Sequence, residues 1–171
     1  MHRLVFHMMV LFIPLTVTLI LHMLVVKRNS FSALTIPISK NIFGKNKTWR
    51  GFVFVPLVNA FFSAVLAMLL QRNLLEFAVV GSILGLAYIL AELPNSYFKR
   101  KLNIPPGGRH PHFPLLFLFI DKADSITGVL LVYYLITDLS LAETFVIFCV
   151  AMVLHFTVST LLYRLKIKSS I

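Results

Sequence analysis

Five stretches of this chain, residues 4–26, 51–70, 74–93, 115–136 and 141–163, are almost wholly apolar. Each approaches or exceeds the length of about 20 residues that a helix needs to cross the hydrocarbon core of a bilayer. A chain of 171 residues with 58% hydrophobic and 13% charged residues carries more apolar surface than a soluble domain of that size could bury. The expected fold is therefore an all-α integral membrane protein of about five transmembrane helices in a single domain, residues 1–171. The first stretch is too long for the h-region of a signal peptide, and no small-x-small cleavage site follows it before Lys27, so it is expected to be retained.

Charge orients these helices. Lys and Arg concentrate on the cytoplasmic side of membrane proteins. Six basic residues lie between the first two stretches (Lys27, Arg28, Lys40, Lys45, Lys47, Arg50), and five run from the end of the third into the fourth (Lys99, Arg100, Lys101, Arg109, Lys122). Arg164, Lys166 and Lys168 follow the fifth, and only Arg3 and Arg72 map to the opposite side. The N-terminus is expected outside and the C-terminus in the cytoplasm, with loops 27–50 and 94–114 sharing the cytoplasmic face of the plasma membrane. A net charge of +10 fits attraction to anionic headgroups. It does not call for nucleic acid.

Asp121 and Asp124 stand out because they interrupt an apolar run. A carboxylate near a bilayer centre costs on the order of 2.5–3.5 kcal/mol, so a pair needs compensation. Their i, i+3 spacing puts them on one helical face, continued by the small residues Ser125 and Gly128, while Lys122 points elsewhere. Two structural readings compete with a ligand site: neutralisation by Arg109 or Lys122, or a helix that begins at Ser125 with Asp124 as its cap. If the third helix continues past Pro94, Glu92, Asn95, Ser96 and Lys99 also share a face. Glu92 would then join the two aspartates as the third carboxylate of the cytoplasmic half, or pair with Lys99 or Arg100. Such carboxylates suit a hard divalent cation, and Mg²⁺ takes one or two of them together with substrate phosphates.

The loops supply the opposite charge. In KNIFGKNKTWRG, residues 40–51, Gly44 permits a turn, Lys45, Lys47 and Arg50 place three cations within six residues, and Thr48 can donate where the next helix begins. The alternative is a positive-inside anchor with Trp49 at the interface. Residues 104–114, IPPGGRHPHFP, hold four of the eight prolines and form a stiff loop with Arg109, His110 and His112 as candidates for headgroup contact. His7, His22 and His155 lie at unrelated depths and read as structural. Cys149 is alone in the fifth stretch and reads as a packing residue. No internal repeat of fixed period is present.

Three segments in order carry a resemblance: GKNKTWRG at 44–51, Ser-x-x-Lys-Arg at 96–100 followed by a Pro-Gly loop, and Asp-x-x-Asp at 121–124. Together they resemble the CDP-archaeol synthases, relatives of phosphatidate cytidylyltransferase. Two details depart from that pattern: Ala91 and Glu92 stand where a Gly-Asp pair is expected, and Lys122 and Ser125 replace the residues usual around the aspartates. The departures leave the choice among diether, diacyl and polyprenyl phosphates open.

The resemblance implies a CTP-dependent enzyme that converts a membrane lipid phosphate to a CDP-lipid with release of pyrophosphate. Asp121 and Asp124, with Glu92, would hold Mg²⁺, and Lys99 and Arg100 would bind phosphate. Lys45, Lys47 and Arg50 would clamp either the triphosphate or the lipid phosphate. Thr48, Asn95, Ser96 and Arg109 would be further donors. A homodimer is expected of so small a chain. The competing classes are a non-catalytic membrane subunit and a transporter of a phosphorylated metabolite.

Overall fold

The computed structural model describes residues 2–108 and 110–168, apart from the side chain of His2. These residues form five α-helices: α1 (His2–Lys27), α2 (Trp49–Leu69), α3 (Leu74–Lys101), α4 (Pro114–Ile136) and α5 (Leu141–Arg164). Among the described residues the extended chain is limited to an isolated bridge between Pro37 and Thr48. Four helices, α1, α2, α3 and α5, are long and apolar enough to cross a membrane. The expected fourth span is helical over the expected residues, but Asp121, Lys122 and Asp124 set α4 apart from the others.

α2 and α3 pack most extensively, α4 lies between α3 and α5, and α1 covers α2 and part of α5. Small residues allow the closest approaches. Gly81 and Gly85 of α3 face Ser63, Asn59 and Pro56 of α2, and Gly128 of α4 faces Ala87 and Ala91 of α3. Helices in lipid associate through such close backbone packing because lipid tails are as apolar as the side chains themselves. Asn59, 1% exposed, fixes the α2–α3 seam by donating to the Gly81 carbonyl at 2.7 Å.

The two ends of the bundle differ chemically. At one end, helix starts are capped from the sequence: the Asn73 side chain accepts from the Leu75 and Glu76 amides, and Ser140 and Glu143 form a reciprocal capping box. Arg3 donates to the Asp138 carbonyl at the same end. At the other end, α1, α3 and α5 finish with Lys27, with Lys99, Arg100 and Lys101, and with Arg164, where cations complement the helix dipole.

Pro94 does not end α3. It leaves one backbone bond unmade, yet the helix continues to Lys101, so the connection to α4 is confined to residues 102–113 rather than 94–114. The extra turns carry Asn95, Ser96 and Lys99 on the α3 frame. The other connection folds back on itself. The Ile38 amide donates to the Lys47 carbonyl at 2.9 Å and the Trp49 amide to the Ile36 carbonyl at 3.1 Å, which turns residues 43–47 toward the C-terminal end of α3.

Candidate active site at the basic end of the bundle

One polar cavity of about 190 Å³ opens at the basic end, lined by Phe43, Asn46 and Lys47 of the first connection, by Glu92, Asn95, Ser96, Lys99 and Arg100 of α3, by Pro106 and Gly107, and by Asp121 and Asp124 of α4. Helical periodicity explains the grouping. Positions 92, 95, 96 and 99 recur every three or four residues on α3, and 121 and 124 do so on α4.

Asn95 ties the aspartates together, its amide nitrogen donating to Asp121 Oδ1 and Asp124 Oδ2 at 2.8 Å each. Lys99 Nζ sits astride Asp121, at 2.7 and 2.6 Å from its two carboxylate oxygens. Asp124 Oδ1 also accepts from the Ser125 amide at 2.6 Å. Across the cavity, Lys47 of the first connection pairs with Glu92. Glu92 therefore meets a cation from another segment, not Lys99 or Arg100 of its own helix. Asp121 is neutralised from α3, while Lys122 turns away and donates to Ser159 of α5 at 2.6 Å. A helix beginning at Ser125 is excluded, since α4 starts at Pro114 and Asp124 lies well inside it.

Of the remaining sequence candidates, Ser96 alone among the described residues reaches the cavity wall. Ser96 lines the cavity, but its hydroxyl donates back to the Glu92 carbonyl at 2.8 Å. Arg50 is 6% exposed and its Nη1 donates to the Ser30 carbonyl at 3.1 Å, so it anchors the first connection to α2 instead of lining the cavity. Thr48 is the cap position of α2 without a side-chain capping bond, and Lys45 is exposed; neither is part of the cavity wall. Arg109 falls outside the described residues. His110 stacks on Phe117, and its Nδ1 accepts from the His112 amide. Sequence reasoning passed over Phe43, Asn46, Pro106 and Gly107. Asn46 sits inside the GKNK segment, and Pro106 and Gly107 belong to the Pro-Gly loop that follows Ser-x-x-Lys-Arg, so these three were legible there; Phe43 gave no chemical signal.

Gly44 joins the two connections. It is buried with φ of +87°, and a Cβ there would lie 3.2 Å from Pro106 Cγ and 3.5 Å from Arg100 Nε. Gly44→Ala is expected to cost about 1–2 kcal/mol through its left-handed backbone and to displace Arg100. A lowered unfolding midpoint together with weakened binding of CTP, the ligand that the sequence resemblance implies, would show both effects, whereas unchanged binding would separate Arg100 from that ligand.

Among the described residues three carboxylates and three cations face this cavity, so their formal charges balance. A polyphosphate entering a balanced cavity meets carboxylates as well as lysines, and added positive charge is needed to favour it. The oxygens of Asp121 and Asp124, a helical turn apart and already holding an amide and an ammonium, fit a hard divalent cation. Among the described residues no three His, Cys, Asp or Glu side chains are gathered closely enough to hold a metal ion. Glu92, engaged by Lys47, does not complete a three-carboxylate set with the aspartates in this arrangement.

The fold is that of a multi-pass helical membrane protein in which acids and cations meet around one cavity at the basic end of the bundle. The CarS-like family model, described as CDP-archaeol synthase, matches residues 1–171, and the chain belongs to that family. It is 27% identical over 132 residues to a CDP-archaeol synthase of Pyrococcus furiosus, covering 76% of this chain and 75% of the relative. A CDP-archaeol synthase of Pyrobaculum islandicum is 29% identical over 129 residues, 75% of this chain and 73% of that protein. One from Staphylothermus marinus is 30% identical over 109 residues, 64% of this chain and 56% of that protein. No solved structure matches the chain.

Proposed function

We propose that this protein transfers the cytidylyl group of CTP to a membrane lipid phosphate, giving a CDP-lipid and pyrophosphate. The observation that carries the reading is the meeting of Asp121, Asp124 and Asn95 with Lys47, Lys99 and Arg100 around one cavity at the basic end of the bundle. Family membership supports the same chemistry, and the name borne by its relatives makes an archaeol-type diether phosphate the first acceptor to try. We place the basic end in the cytoplasm, where CTP arrives from water while the lipid phosphate lies at headgroup level.

In this reaction a lipid phosphate oxygen attacks the α-phosphorus of CTP and pyrophosphate departs. The acceptor is already ionised at neutral pH, so no general base is required. Catalysis then rests on positioning and on neutralising charge. Lys99 and Lys47 are each held by a carboxylate before ligand arrives, and each can exchange that partner for a phosphate oxygen without leaving the cavity. Arg100 lies behind them against Gly44 and supplies a planar donor fork for phosphate. Asn95 keeps the two aspartates at a fixed separation. Asp121 and Asp124 would hold Mg²⁺, which supplies charge neutralisation across the reacting phosphates when bound.

The test is incubation of purified protein with labelled CTP, Mg²⁺ and a panel of diether, diacyl and polyprenyl phosphates, beside Asp124→Asn. A labelled lipid that disappears with EDTA and in the variant establishes the reaction and identifies the acceptor. Absence of label, in folded protein that binds neither CTP nor Mg²⁺, would move the reading to a non-catalytic subunit. Lys47→Met then assigns the first connection. Loss of a charged hydrogen bond is expected to raise KM about 10- to 100-fold for one substrate and not the other. Equal effects on CTP and lipid would mean that Lys47 acts on the site as a whole.

A further inference from the structure

The two ion pairs of the polar cavity differ in what they join. Lys99 of α3 and Asp121 of α4 link two helices. Lys47 and Glu92 link α3 to the first connection, whose residues 38–47 are hydrogen-bonded among themselves. The Phe43 amide donates to the Ser39 carbonyl at 3.0 Å, the Gly44 amide to the Lys40 carbonyl at 3.1 Å and the Ile38 amide to the Lys47 carbonyl at 2.9 Å. Among the described residues, the Lys47–Glu92 pair is the one side-chain bond that fastens this segment to the bundle. Both partners are partly exposed, at 21% and 24%, so a ligand can reach them.

Glu92 also stands apart from the aspartates. Asn95 donates to Asp121 and to Asp124 at 2.8 Å each and so keeps those two together. Among the described residues the Glu92 carboxylate shares no hydrogen-bond partner with either of them; its partner is Lys47. Other polar side chains lie close to it: Tyr88 one turn back on α3, His22 of α1 and His155 of α5. The carboxylate is therefore not left in a purely apolar setting when Lys47 departs, and exchange of the ammonium to another anion is open to it.

We propose that Glu92 is not a ligand of the metal but the resident counter-ion of Lys47, displaced by a phosphate group of the ligand and retaking the ammonium when product leaves. The identity of that ligand rests on the cytidylyl-transfer reading. Glu92 is thus a positioning residue that acts through Lys47, holding the ammonium and residues 43–47 over the empty cavity. A phosphate on the same ammonium brings two anions together in a partly desolvated space, and their repulsion drives the carboxylate off. The two roles predict opposite signs. Loss of a metal ligand weakens the metal and the phosphate it bridges, whereas loss of a competitor tightens the phosphate.

The probes are inorganic pyrophosphate, standing in for the triphosphate, and phosphatidic acid, standing in for the lipid phosphate, each titrated calorimetrically with Mg²⁺ in detergent. No CTP is present, so binding is read without turnover, and a protein that binds these probes but labels no lipid would fail the transfer reading alone. Lys47→Met should weaken at least one probe. Each probe that it weakens should bind about 2- to 5-fold tighter to Glu92→Gln, the scale of a partly exposed ion pair that no longer has to be broken. Glu92→Asp, which keeps the charge, should bind near the parental level. The Mg²⁺ needed for half-maximal binding should not rise in Glu92→Gln. Without ligand, trypsin should cut after the exposed Lys45 faster in Glu92→Gln and in Lys47→Met than in the parent. Affinity unchanged or weakened in Glu92→Gln, a Mg²⁺ requirement raised about tenfold or more as a lost ligand would give, cleavage unchanged in both variants, or binding of neither probe by the parent would overturn the proposal.

Discussion

Asp124→Asn is expected to fold as the parent protein does and to lose turnover by about 10²- to 10³-fold or more, the scale at which one electrostatic contact to a transition state is removed. The side chain keeps its size, its one remaining oxygen can still accept from the Ser125 amide, and Asn95 remains bonded to Asp121, so the variant subtracts one charge and the Asn95–Asp124 hydrogen bond. Asp121→Asn is less clean. Lys99 holds both oxygens of Asp121, and their side chains are 10% and 29% exposed, respectively. Removing that carboxylate strands a largely buried ammonium, and a stability loss of about 1–3 kcal/mol is expected, between the values for exposed and buried pairs. The measurement is kcat beside the unfolding midpoint for each variant. Turnover near parental in Asp124→Asn would remove the aspartates from the chemistry. A loss of turnover matched by loss of folded protein in both variants would make them structural.

The contrast between these aspartates shows what the sequence could reveal. Their common face was readable from i, i+3 spacing, and a run of about 20 apolar residues fixed α4 to within one residue at its start. The same periodicity carried through Pro94 put Glu92, Asn95 and Lys99 on one face of α3. Which cation met which carboxylate was not readable. Glu92 pairs with Lys47 because the Pro37–Thr48 bridge folds the first connection back over α3, and that bridge comes from backbone bonds with no side-chain signature. Arg50 carried the same charge as Lys47 three residues away, yet it is turned toward Ser30. Two residues of like chemistry were separated by the register of a short loop.

The seams between helices were written in the sequence as well, in a form that charge-centred reading overlooks. Gly81-x-x-x-Gly85 is the small-residue spacing that lets membrane helices meet at backbone distance. Its glycines are where a single methyl group does most damage. A Cβ at Gly85 would lie 2.9 Å from Pro56 Cα and 3.0 Å from the Val55 carbonyl oxygen, both backbone atoms that cannot rotate aside. Gly128 differs, since its closest conflict is the Ala91 Cβ at 2.2 Å, followed by the Ala87 carbonyl oxygen at 3.3 Å.

Gly85→Ala is therefore expected to part α2 from α3 and cost at least the ~1–3 kcal/mol typical of overpacking, with no single side-chain truncation able to restore it. Gly128→Ala should cost a similar amount by pushing α4 from α3. That displacement lies one turn from Asp124, so Asn95 and Lys99 should lose their hold on the aspartates and turnover should fall with stability. Ala91→Gly added to Gly128→Ala removes the conflicting methyl group and should recover most of both losses, less the roughly 1 kcal/mol that glycine costs inside a helix. Unfolding midpoints and turnover of the three variants decide the matter. If Gly85→Ala is neutral, the α2–α3 seam is looser than its distances require. If Ala91→Gly fails to rescue Gly128→Ala, packing between α3 and α4 is not what aligns Asn95 and Lys99 with Asp121 and Asp124.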